Sequence, residues 1–221
     1  MRTLADNKRL RLLCYLLICT YLGCSKPAGQ SSIVMPTRLE SIAAEPQAKI
    51  MAAKEELFSR LSGKLMQVLQ EKGPAAAIQV CSQEAPAIAH SVSKDHGLKI
   101  ARTSLKIRNP KNTAPDWAEQ IIQESPPTEP QFFDIGQNHI GALLPIKLQS
   151  TCLLCHGPRE MILDEVKTEL AKLYPKDQAT GYQEGDLRGW FWVDLPLQST
   201  EPPEASEPNE SIEVNQPASL P

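Results

Sequence analysis

Apolar positions fall first into helical and later into strand-like spacing. From Glu45-Pro46 to Gly73-Pro74, the residues Ile50, Leu57, Leu61, Leu65, Val68 and Leu69 recur on one helical face, and Pro46 suits a first turn. This predicts a long amphipathic helix that stops at Gly73-Pro74. A second helix begins at Pro74, with Ile78, Cys81, Ala85, Ile88 and Val92 three or four positions apart and Pro86 as a point of kinking or division. After His96-Gly97 the spacing turns strand-like, through Leu98 and Ile100 and then Leu105 and Ile107, ending at Asn109-Pro110. A short helix follows Pro115, with Trp117, Ile121 and Ile122 as its apolar members. Strands are expected over 131–135 and 139–148, and a further helix over 161–173 with Ile162, Val166, Leu170 and Leu173 on one face. In the last periodic stretch, Leu187, Gly189, Phe191, Val193 and Leu195 alternate with Arg188, Trp190, Trp192 and Asp194, which predicts a strand with one core face.

The flanks have a different character. Arg2, Lys8, Arg9 and Arg11 precede an apolar run over 12–22, too short for a comfortable membrane span, so residues 1–23 read as a signal peptide. Leu22-Gly23-Cys24-Ser25 resembles a bacterial lipobox, which makes Cys24 the expected lipidated first residue of the mature chain; plain secretion and an uncleaved anchor are the alternatives. Residues 24–45 are rich in Ser, Pro, Gly, Ala and Gln and read as a flexible tether to the membrane. The folded domain is expected over 46–197, and the Pro-, Glu- and Ser-rich stretch 198–221 as a disordered tail with no output domain. The expected location is the periplasmic or cell-surface side of a bacterial membrane. With 221 residues, one domain of ordinary size is the working count, and a net charge of −3 without a basic tract argues against nucleic acid as a partner.

Chemistry concentrates in Thr151-Cys152-Leu153-Leu154-Cys155-His156. Two thiols three positions apart, followed at once by an imidazole, form a c-type haem attachment pattern: the thiols add across the vinyl groups and the His faces the iron. A zinc site would need four ligands, and a redox dithiol would follow a strand of a βαβ unit; both remain as alternatives. Cys14 and Cys19 leave with the signal, Cys24 is lipidated, and Cys152 and Cys155 become thioethers, so Cys81 alone is left as a free thiol in an oxidising compartment. His90 is half a turn out of phase with Cys81 and reads as a surface residue. His139 reads as a polar loop residue, with iron ligation as the alternative. Arg102, Lys106 and Arg108 read as a solvated face, although a haem's two carboxylates would also want such cations. No distal acid–base pair of the kind peroxide cleavage needs is visible, so an enzyme is not expected.

Five stretches in order resemble the Tll0287-like c-type haem domain family: Ala77-Ile78-Gln79-Val80-Cys81; Arg102-Thr103-Ser104 with Arg108-Asn109-Pro110-Lys111-Asn112; Cys152-Leu153-Leu154-Cys155-His156-Gly157; Tyr174-Pro175-Lys176-Asp177-Gln178-Ala179-Thr180-Gly181-Tyr182; and Gly185-Asp186-Leu187-Arg188-Gly189. The resemblance implies an α+β, PAS-like domain, an antiparallel sheet with packed helices and a long N-terminal helix. It implies one covalent haem c, with His156 as one axial ligand and Cys81 as the other; Arg102 and Arg188 are further candidates for contact with the haem. A buried inert thiol remains the alternative for Cys81, with Met35, Met51, Met66 and Met161 as other sulfur donors. The expected function is electron transfer with a redox partner protein; the alternative is a sensor of redox state or of a small ligand.

Overall fold

The computed structural model describes residues 35–197. The expected signal peptide with Cys24, the first part of the tether and the tail lie outside them. Five strands form one antiparallel sheet in the order β1-β3-β4-β5-β2, from β1 (Thr37–Leu39), β2 (Lys99–Thr103), β3 (Gln131–Asp134), β4 (His139–Lys147) and β5 (Leu187–Pro196). Helices α1 (Ala44–Gln79), α2 (Ala85–His96), α3 (Asp116–Glu124), the short α4 (Leu153–His156) and α5 (Asp164–Leu173) complete the α+β, PAS-like plan. Strand β1 falls inside the stretch expected as tether. Its backbone pairs with β3, so residues 37–39 belong to the sheet despite a composition with little to bury.

The break foreseen at Gly73-Pro74 is present. Gly73 takes φ 81° and ψ 177°, a conformation open to glycine and closed to most side chains, and Pro74 restarts the helix with its preset φ. Ile50, Ala53 and Leu57 of α1 are fully buried against the sheet, where they meet Val92 of α2 and Phe191 and Val193 of β5. Burying Ile50 and Leu57 contributes about 1.5–3 kcal/mol each relative to exposure, enough to fix the roll of the helix on the sheet. Between α1 and α2 the chain makes a π turn over Val80–Glu84, closed by the Ala85 N–H to the Val80 carbonyl. Pro86 has no N–H to continue an α ladder here, so the kink expected from it is taken up one turn earlier, around Cys81.

Strand β5 departs from the one-sided expectation. Phe191, Val193 and Leu195 join the helix-covered core, but Trp190 is also buried, with Leu143, Phe133 and the α3 residues Ala118 and Ile122. Helix α3 covers the second face, and the Trp190 indole donates to the Pro127 carbonyl at 2.7 Å. Strict alternation marks two faces without saying that both are covered. The strand expected through Ile107 stops at Thr103, leaving Leu105 exposed. Helix α5 starts at Asp164, although Ile162 is buried ahead of it. Among the described residues, no helix is long and apolar enough to cross a membrane.

Candidate functional site

The helix-covered face of the sheet continues past the ends of β4 and β5 into a cavity. Leu61, Leu65 and Leu69 of α1 line one wall, with Ile146 and Phe191 at the sheet end. Cys81, Arg102, Arg108, Cys152, Cys155, His156 and Arg188 all line it as well. Residues far apart in sequence thus meet for local reasons. Arg102 is paired with Phe191 across β2 and β5, which places it on the helix-covered face. A 3-10 turn (Ser150–Cys152) runs into α4, so Cys152 and Cys155 stand one turn apart on the same side.

The His156 ring is held from outside its own helix. Its Nδ1 lies 2.7 Å from the Ala179 carbonyl. A carbonyl only accepts, so Nδ1 carries the proton and Nε2 is left with its lone pair. Tyr182 packs edge-on against the ring, with centroids 6.3 Å apart. Burial first, then the nearby Arg108 and Arg188 guanidinium groups, hold the imidazole pKa well below its ordinary range, so the ring is neutral at pH 7.

Arg108 ties this arrangement together. Its Nε and Nη2 face the two carboxylate oxygens of Asp177 at 3.1 Å each, and Nη2 also donates to the Cys155 carbonyl at 2.6 Å and the Ala179 carbonyl at 3.1 Å. Asp177 in turn accepts the Ala179 N–H at 2.8 Å. Arg108 is therefore an internal clamp rather than part of a solvated face. Arg102 likewise lines the cavity, leaving Lys106 as the exposed member, its ammonium 4.8 Å from the centre of the Tyr182 ring. The clamp was not anticipated. Its signal was an acid, Asp177, in a stretch that otherwise supplies turns.

Arg102 and Arg188 are different. Burial lowers the pKa of both. Arg188 donates to Ser104 Oγ at 2.6 Å and to the Lys106 carbonyl at 3.1 Å. Among the described residues, neither guanidinium has a carboxylate within salt-bridge distance. Two withdrawn cations without an acid partner call for an anionic guest. Burial drives the Cys155 thiol up to about 11, so it is protonated when unmodified.

The other histidines do not join. His90 is exposed on α2. His139 opens β4 at the end remote from the cavity, with its Nδ1 2.5 Å from an Asp194 carboxylate oxygen, so it is a hydrogen-bonded strand residue, neither a loop residue nor near the cavity. Of the methionines, Met66 lines the cavity, as Cys81 does, whereas Met161 is 78% exposed. Among the described residues, no three His, Cys, Asp or Glu side chains converge as a bare metal ion would require.

The family model described as Tll0287-like matches residues 32–196. The chain belongs to the Tll0287-like family. The match takes in β1 and every described element, from the strand that lies within the expected tether to the end of β5. A solved structure, the crystal structure of the cyanobacterial heme-protein Tll0287, is similar with a TM-score of 0.53 and 22% identity, covering 70% of this chain and 97% of that one. At that identity the likeness shows the fold alone, an α+β arrangement. No curated protein matches.

The residues present fit a haem. Two thiols on one side of a helical turn suit two vinyl groups, an oriented neutral imidazole and a thiol suit iron, apolar walls suit a porphyrin face, and two guanidinium groups without an acid partner among the described residues suit two carboxylates.

Proposed function

We propose that the chain is a c-type haem protein that carries one covalent haem and transfers electrons. The observation that carries this reading is the pair of cavity-lining arginines without acid partners, beside a Cys-x-x-Cys-His turn whose imidazole is neutral and fixed. Cys152 and Cys155 would hold the group as thioethers, His156 Nε2 and the Cys81 sulfur would ligate the iron, and Arg102 and Arg188 would meet the propionates. The haem supplies a one-electron couple. The protein's residues keep His156 in one tautomer and orientation, exclude water with Leu61, Leu65 and Phe191, and neutralise buried carboxylate charge. That a family relative's solved structure is of a heme-protein supports the reading. Export, with Cys24 lipidated, would place the carrier beside membrane redox partners.

Sensing is the second reading, and one observation favours it. Cys81 lies in the π turn that joins α1 to α2, so a change at its sulfur would act on both helices. Expression of the full chain with a haem-maturation system, followed by intact-mass and optical measurements, tests both. Covalent haem and a spectrum altered by Cys81→Ala are expected. Absence of thioether-bound haem would sink the proposal, and an unchanged spectrum would remove Cys81 as ligand in favour of Met66. Rapid carbon monoxide binding by the reduced protein would favour sensing over transfer.

A further inference from the structure

We propose that Arg108 and Asp177 are positioning residues that set the strength of the His156 Nδ1–H to Ala179 carbonyl bond, and through it how strongly His156 donates to iron. The inference rests on the haem reading above. One oxygen, that of Ala179, accepts two donors: the His156 imidazole at 2.7 Å and the Arg108 guanidinium at 3.1 Å. A carbonyl has two lone pairs, and a cationic donor on one of them weakens the other as an acceptor.

Asp177 opposes that effect. Its carboxylate meets Arg108 through two atoms at 3.1 Å and neutralises the charge that bears on the shared oxygen. The two side chains are only 9% and 10% exposed, so water screens neither the cation nor its neutralisation. A third contact, from Arg108 Nη2 to the Cys155 carbonyl at 2.6 Å, fixes the guanidinium against the same turn that bears His156. The pair therefore sits where it can grade the imidazole's basicity, the usual role of groups behind a metal-bound histidine. It touches no cavity-facing atom of His156.

The test uses the haem-loaded full chain, with Arg108→Gln and Asp177→Asn compared to wild type. Two readouts are taken: the midpoint potential, and the chemical shift of the His156 Nδ1 proton in the reduced, diamagnetic form. Arg108→Gln frees the carbonyl, so the proton should move downfield and the potential fall. Asp177→Asn leaves the cation unopposed, so the proton should move upfield and the potential rise. At a fixed applied potential, each change should alter the reduced-to-oxidised ratio roughly threefold, which is about 28 mV at 59 mV per tenfold for one electron. A purely structural role would loosen the turn in both variants and shift both potentials in the same direction, which overturns the inference. An unmoved proton with altered potentials overturns it too, because the charges would then be acting through space. If Arg108→Gln does not fold, Asp177→Asn alone decides, since Asn keeps the acceptor for the Ala179 N–H. Wild-type protein without thioether-bound haem by mass would refute the haem reading itself, a result distinct from haem-loaded variants that do not shift.

Discussion

Replacing Gly189 by alanine should be among the most damaging single-methyl changes in the sheet. A Cβ there would stand 2.1 Å from the Thr103 carbonyl oxygen and 3.0 Å from Ser104 Cβ, where ordinary contact begins at 3.4 Å. Gly189 also has φ +156°, which side chains seldom adopt. The oxygen belongs to backbone whose residue is paired with Trp190, so it cannot swing aside without opening the end of the β2–β5 ladder. Overpacking costs about 1–3 kcal/mol and a strained backbone about 1–3 kcal/mol more, so we expect a loss of about 3 kcal/mol. For a chain of this size that corresponds to roughly 10 °C in Tm. Urea unfolding followed by tryptophan fluorescence, with Tm by circular dichroism, measures it. Gly63→Ala is the control: Gly63 lies in α1, nothing stands within 4 Å of the added carbon, and alanine should gain about 0.5–1 kcal/mol as the better helix former. Gly189→Ala within about 0.5 kcal/mol of wild type, or a shift of the same sign in both variants, would refute the steric argument. The damage should spread to the site, because Ser104 donates to the Arg188 carbonyl at 2.7 Å and accepts from its guanidinium at 2.6 Å. On the proposed haem reading, a lower yield of covalent haem in Gly189→Ala is therefore expected as well.

Three further outcomes are expected. Trp190→Phe removes a buried 2.7 Å hydrogen bond and leaves the Pro127 carbonyl without it, which should cost about 2–4 kcal/mol in urea unfolding once the small cavity is added. In haem-free protein, His156 has a folded-state pKa well below its unfolded value, so the unfolded chain binds the extra proton first and stability should fall as pH drops below about 6.5. Tm measured from pH 7 to pH 5 should show that fall in wild type and a smaller one in His156→Gln. Cys155 behaves oppositely: its folded pKa is raised to about 11, so haem-free protein should be most stable below pH 9 and lose that contribution as pH rises towards 11. Alkylation followed by mass spectrometry at pH 8 should accordingly find Cys155 slow to react.

The long helix with its stop at Gly73, α3 after Pro115 and strand β5 were legible because periodicity and punctuation are local signals that the core enforces. The motif was equally plain, since its chemistry lies in adjacent residues. What was hidden depends on coverage. Trp190 and Asp194 occupy the same face of one strand in the pattern, yet one is sealed under α3 and the other pairs with His139. Arg102, Lys106 and Arg108 looked alike as alternating cations, and only the packing separates two cavity-lining guanidinium groups from one exposed ammonium. Strand β1 escaped because three residues at a sheet edge bury almost nothing, so composition favoured a linker.

The shared Ala179 carbonyl has a consequence for how the domain assembles. The Cys-x-x-Cys-His motif is five residues long, but its orientation comes from Ala179, 23 positions downstream of His156, and from Arg108, 47 positions upstream of Cys155. Closing those loops costs chain entropy, and contacts of such separation slow folding. During synthesis the Cys-x-x-Cys-His segment therefore emerges as an accessible peptide well before anything fixes the direction of its imidazole. On the proposed haem reading, attachment machinery that needs an open chain would have that interval in which to act, and docking of residues 177–182 would end it.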